Sequence, residues 1–170
     1  MQFNSSQNFS SRVGGFTLME VAVAMVIFSV GLLGLAGLQL TGVQNINDAL
    51  LRTTAVQQAA DMAERIRANP AGAINGNYDT ISAGVSGAAC SNRCDPSQTA
   101  LNDRLEWSTA IDTTLPAGQG TVQGALAGLS REFTITVQWD GNRRGAQGTN
   151  CPPQGPDDMD CIQLTVRPTP

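Results

Sequence analysis

Residues 15–40 read GFTLMEVAVAMVIFSVGLLGLAGLQL. From Val21 to Leu38 this stretch holds no charged residue and no proline, a length that nearly spans a bilayer, so it predicts a membrane helix. Glu20 sits at the edge of the apolar core, where a carboxylate is costly unless it has a partner. A cleaved secretory signal would have a shorter apolar region after a basic segment and no such carboxylate. A plain anchor leaves Glu20 unexplained. Before this stretch, residues 1–15 are polar, carry Arg12 as their sole charge and end in Gly14-Gly15, which reads as a leader.

Beyond Leu40 the pattern becomes amphipathic. Val43, Ile46, Leu50, Val56, Ala59, Met62, Ala63 and Ile66 recur mostly at three- and four-residue spacing, and Asn69-Pro70 supplies the stop. A continuous helix over residues 16–69 would be about 80 Å long. Its first half (16–40) suits lipid, and its second half (41–69) has one stripe to bury against a soluble domain over 70–170. In that domain, residues 71–95 are rich in small polar residues and read as a loop. Asp95-Pro96 predicts a helix start, with a helix to about Thr113 and Leu101, Leu105 and Ile111 inward, although Arg104 interrupts that face. Phe133, Ile135, Val137 and Trp139 alternate with polar residues as in a half-buried strand. Ile162, Leu164 and Val166 repeat the pattern, and Thr121–Leu126 is a weaker first strand. Three antiparallel strands are expected, with the amphipathic helix covering their apolar face.

Composition excludes several chemistries. The chain of 170 residues has no His, and all ten basic residues are Arg, which removes His bases, His metal ligands and Lys Schiff bases. A net charge of −4 and a pI near 4.6 argue against a nucleic-acid partner. The four cysteines, Cys90, Cys94, Cys151 and Cys161, lack the C-x-x-C knuckles of a zinc site and suggest two disulfides in an oxidising compartment. Pairing of sequence neighbours is favoured, but four cysteines allow three connectivities and the sequence does not choose among them. Gly118-Gln119-Gly120 lacks the Lys-Ser/Thr pair of a phosphate loop. Asp157, Asp158 and Asp160 do not display the ligand count of a calcium site, and Arg143-Arg144 reads as a solvated loop tip. No metal, cofactor or catalytic constellation is expected.

The residues GFTLMEVAVAMVIFSVGLLGL resemble the class III signal sequence of the type IV pilin family. MAERIRANPAG (62–72), LEWSTAIDTTLPAGQGTV (105–122) and FTITVQWD (133–140) are similar to minor pilins of that family. The resemblance implies an α+β, pilin-like fold, with a long N-terminal helix packed on a small antiparallel sheet and disulfide-tied loops. It implies that a prepilin peptidase cuts between Gly15 and Phe16 and methylates the new amine of Phe16, and that Glu20 neutralises an N-terminal amine during assembly. The implied partners are other minor pilins, the major pilin, the prepilin peptidase/methyltransferase, the inner-membrane assembly platform and the lipid bilayer. The implied location is the bacterial inner membrane, single-pass with a periplasmic C-terminal domain, and then the pilus. A minor pseudopilin of a type II secretion system shares the leader, Glu20 and the helix-on-sheet plan. One departure is that many major pilins carry a proline within the apolar helix, where this chain has Gly31, Gly34, Gly37 and Gly42.

Overall fold

The computed structural model describes residues 14–127 and 130–168; the expected leader lies outside these residues except for Gly14 and Gly15. The first helix, α1 (Leu18–Ala68), has 51 residues and contributes to two compact units that divide between Gln44 and Asn45.

In the first unit α1 is uncovered. It contains an 18-residue window of mean hydropathy 2.5 with none of its residues buried, long and apolar enough to cross a membrane. Two of its hydroxyls are satisfied within the helix: Ser29 Oγ donates to the Met25 carbonyl at 2.7 Å and Thr41 Oγ1 to that of Gly37 at 3.2 Å. Bonds back to the preceding turn let hydroxyls enter an apolar solvent without an orphaned donor.

The second unit is built around the last four turns of α1. Ala55, Ala59, Met62, Ala63 and Ile66 are buried, and three alanines among them bring the helix backbone close to its neighbours. The expected stripe is longer than the one the fold buries. Val43, Ile46 and Leu50 are exposed because the core begins only at Leu51 and Ala55, and Val56, also exposed, falls off the Ala55–Ala59–Met62–Ala63–Ile66 face that the core covers. After α1 the chain turns into a short helix, α2 (Pro70–Ile74), with Asn69 as N-cap, and then strand β1 (Thr80–Ile81). Residues 71–95 are therefore not one loop. Helix α3 (Pro96–Thr114) starts at Asp95 with a complete capping box closed by Gln98. It is followed by β2 (Gln119–Ala127), β3 (Ser130–Trp139) and β4 (Asp160–Val166).

These strands form one antiparallel sheet in the order β1-β2-β3-β4, four strands where three were expected. The added strand is two residues long, too short for a period-two signal to register. In β3 the expected alternation holds: Phe133, Ile135, Val137 and Trp139 are all buried. Val122 and Val166 join them, while Leu164 on the edge strand β4 is 37 % exposed and Ile162 only partly covered.

The inward face of α3 also differs from expectation. Leu101 is 43 % exposed, and the core side carries Ala100, Asp103, Trp107 and Ile111. Trp107 donates its Nε1 proton to the Gln58 carbonyl at 2.8 Å. The Leu101–Leu105 side is approached instead by the loop at Gly87, whose φ is +134° and where a Cβ would come within 2.3 Å of the Leu101 oxygen.

Burying Asp103 requires partners, and it has them. Tyr78 Oη donates to one carboxylate oxygen at 2.5 Å and Arg65 Nη1 to the other at 3.2 Å. Arg65 also reaches Glu106 at 2.7 Å and Asp61 at 2.8 Å. Asn69 Nδ2 donates to Tyr78 Oη and to the Pro96 carbonyl, while its Oδ1 accepts from Gly72 N. Burial alone would lower the Arg65 pKa, but its hydrogen bonds to Glu106, Asp61 and Asp103 outweigh that and hold it above its ordinary value. This polar knot ties the end of α1 to α2 and α3.

Candidate processing and assembly site

The start of α1 is built from five residues with separate jobs. Gly14 and Gly15 precede the helix without regular structure, and a Cβ at either would meet nothing within 4 Å. Phe16 follows, 82 % exposed. Thr17 then stops the chain from fraying. Its Oγ1 accepts the Glu20 amide proton at 3.2 Å, and its carbonyl accepts from the amides of Glu20 and Val21, which satisfies donors that a helix start leaves orphaned. Thr17-x-x-Glu20 has the spacing of a capping box, a signal in the sequence that the reading of Glu20 alone passes over.

Glu20 lies in the first turn, where the positive end of the helix dipole favours a carboxylate. Its side chain is exposed and lines an open groove with Phe16, Val21, Ala24, Met25 and Phe28. Among the described residues it has no ion pair. One acceptor in an otherwise apolar groove, next to accessible backbone at Gly15–Phe16, offers two chemistries. The peptide bond can be reached by a protease, and the carboxylate can take a cation brought by another molecule.

The cysteines stand apart from this groove. Cys90 is bonded to Cys94 and Cys151 to Cys161, with Cα separations of 6.2 and 5.8 Å. The first ring lies just before the N-cap of α3. The second fastens the long β3–β4 connection to the start of β4. Asp158 secures the same connection by accepting from Asn150 Nδ2 and from the amides of Gln154 and Gly155. Asp157, Asp158 and Asp160 are not brought together as a ligand set; among the described residues no group of three or more His, Cys, Asp or Glu could hold a metal ion.

A long N-terminal helix with an apolar first half and a single acidic residue in its first turn, together with a small antiparallel sheet and two disulfides, is an α+β fold of the pilin-like class. Residues 37–107 match the family model described as Type IV pilin Tt1218, and residues 10–36 match the prokaryotic N-terminal methylation motif. No curated protein and no solved structure matches the chain. The two family matches, adjoining along the helix, support a type IV pilin, a structural subunit with a prepilin-type N-terminus. The motif and the apolar helix together fit anchoring in a membrane and assembly into a pilus.

Proposed function

We propose that this chain is a minor pilin of a type IV pilus, taking part in the minor-pilin complex that primes assembly and sits at the tip. The reading rests first on Glu20, the lone carboxylate of an uncovered apolar helix, five residues beyond Gly15. Prepilin peptidase cleaves between Gly15 and Phe16 and the Phe16 amine is methylated. Glu20 accepts an N-terminal ammonium in the bundle of subunit helices, fixing axial register, because a misplaced subunit leaves both charges unpaired in an apolar medium. The minor-pilin assignment is supported by the similarity of residues 62–72, 105–122 and 133–140 to the minor pilin called type IV pilus modification protein PilV. Those stretches supply Met62, Ile66, Trp107, Ile111, Phe133 and Ile135 to the core. Before assembly the protein is held in the inner membrane by a single span with its C-terminal domain in the periplasm.

The test is the intact mass and N-terminal residue of protein purified from its native membrane, combined with deletion of the gene. A chain beginning at N-methylated Phe16 and loss of pili on deletion are the expected results. Loss of secretion with pili intact would mark a pseudopilus subunit instead. A chain beginning at Met1 would remove the role proposed for Glu20.

A further inference from the structure

The turn after β3 carries two arginines, Arg143 and Arg144, on a backbone held in place from below. Asp140 is 6 % exposed, and its carboxylate accepts the Arg144 amide at 3.2 Å and the Gly145 amide at 2.7 Å. Its carbonyl accepts from Arg143 N and its own amide donates to the Pro116 carbonyl. Arg143 has φ +51° and Gly145 φ +80°, so the turn occupies the left-handed region at a non-glycine residue to keep this shape. The Asp140 carboxylate is engaged by the backbone beneath, and both arginines are exposed. Arg65, Arg67, Arg131 and Arg167 pair with carboxylates; among the described residues Arg143 and Arg144 have no such partner.

The place of this turn within its unit is informative. Asn142 lines a recess with Asp48, Ala49 and Arg52 of α1 and Trp139 and Asp160 of the sheet, so the turn lies at the end of the unit where α1 enters. Asp48 lies eight positions after Leu40, the last residue of the apolar run, about 12 Å of helical chain. Within the second unit, this entry end is the part closest along the chain to the apolar run. Arg93 serves as a counterpoint: it is exposed and unpaired, but sits beside Pro96, which is bonded to Asn69, about 30 Å along α1 from Asp48.

We propose that Arg143 and Arg144 dock the globular unit onto the phosphates of anionic lipid at the bilayer surface, holding the membrane-inserted subunit in a defined pose before assembly. The proposal rests on the membrane-anchored reading above. Guanidinium forks suit phosphate oxygens, and a basic pair near an anionic surface gains from its potential within a Debye length.

The test uses the full chain in nanodiscs of phosphatidylcholine alone or mixed with phosphatidylglycerol. Arginine modification by phenylglyoxal is mapped by mass spectrometry. Relative to Arg93, modification of Arg143 and Arg144 should fall by roughly five-fold at each site in the anionic discs, and high salt should abolish the difference. Inorganic phosphate added to the phosphatidylcholine discs should leave both arginines reactive. Equal reactivity in the two lipids overturns the proposal, and so does protection by inorganic phosphate alone, which would mark a small-anion site. A chain that does not incorporate into the discs defeats the anchored reading itself, a failure distinguishable from the other two.

Discussion

Tyr78 and Asp103 meet through a 2.5 Å hydrogen bond in the interior of the second unit, the phenol donating to Oδ2. Tyr78 is the chain's only tyrosine and is fully buried, so this contact can be watched spectroscopically without interference. It joins the segment after α2 to the middle of α3, and with Arg65 and Asn69 it explains why residues 62–72 are more than an apolar stripe.

Burial and the bond to Asp103 raise the Tyr78 pKa above its ordinary value near 10, against the opposing effects of Asn69 and Arg65. The sign follows: the fold prefers the neutral phenol, so its contribution is complete below about pH 10 and is lost as pH rises through the folded pKa. Tyrosinate absorbance in an alkaline titration should therefore appear together with loss of near-ultraviolet circular dichroism. Free titration of the phenol in the folded protein would contradict the contact. Tyr78→Phe should lower stability at neutral pH by about 1–3 kcal/mol, because the buried Asp103 loses a donor.

Acid should act through different groups. The Glu106 pKa is lowered by its hydrogen bonds to Arg65 and Asn102, and that of Asp95 by its cap bonds to Gln98 and Ser97. The amide of Gln154 is the largest influence lowering Asp158. Burial pushes Asp140 upward, but the amides of Gly145 and Arg144 outweigh it and the net shift is down. Depressed carboxylates contribute stability above their unfolded pKa, near 4, and lose it as pH falls through the folded values. Melting temperature should be flat between about pH 5 and about pH 9 and fall below about pH 4. Asp158→Asn should flatten that acid limb, and an unchanged limb would show that the β3–β4 connection does not use this carboxylate.

Much of this was legible in the sequence, and the exceptions share a cause. Period-two alternation located β3 because all four of its apolar residues face one core, and Asp95-Pro96 located α3 because a cap is a local device. The inward face of α3 follows its apolar residues Leu101, Leu105 and Ile111 in the sequence, and of these Ile111 is buried while Leu101 is exposed and Asp103 takes an inward place. Asp103 faces inward since Tyr78 and Arg65, 25 and 38 residues away, satisfy it, and no local pattern carries that. The buried stripe of α1 was drawn too long for the opposite reason: helical periodicity continues through Val43, Ile46 and Leu50 whether or not this chain covers them. At the candidate site, Glu20 stood out by its charge. The cap at Thr17 did not, although its spacing to Glu20 was visible.

Gly120 on β2 is required by contact. A Cβ there would lie 2.5 Å from Cη2 of Trp107 and 2.6 Å from Cδ1 of Ile111, and Trp107 is anchored by its bond to Gln58. Gly120→Ala should cost about 1–3 kcal/mol in chemical denaturation. Trp107→Phe removes the outer ring atoms that clash, so the two changes together should cost less than their sum. Strict additivity would place the strain elsewhere.

The Cys151–Cys161 bridge closes a loop of ten residues of separation. Chain-entropy arguments give about 2–3 kcal/mol for a ring of this size. Replacing both cysteines with serine should lower the unfolding midpoint accordingly and raise hydrogen exchange across residues 140–160 first, leaving β2 and β3 protected. Uniform loss of protection would mean that the connection is part of the cooperative core rather than an appendage stapled to it.

Glu20 carries the prediction with the largest biological readout. As the lone acid on an apolar stretch with no buried residue, it contributes nothing to the fold of the second unit, so Glu20→Ala should leave melting, membrane insertion and cleavage after Gly15 unchanged. Assembly is another matter. If a neighbouring ammonium pairs with Glu20 in the filament, its removal strands a charge in an apolar bundle at a cost of about 3 kcal/mol, a hundredfold in incorporation. Glu20→Gln separates charge from polarity, since it keeps the shape and can still accept a hydrogen bond. Incorporation measured by immunoblot of sheared pili should fall for Gln nearly as far as for Ala. Full incorporation of the Gln variant would mean that a hydrogen bond suffices and that charge neutralisation is not what sets the register.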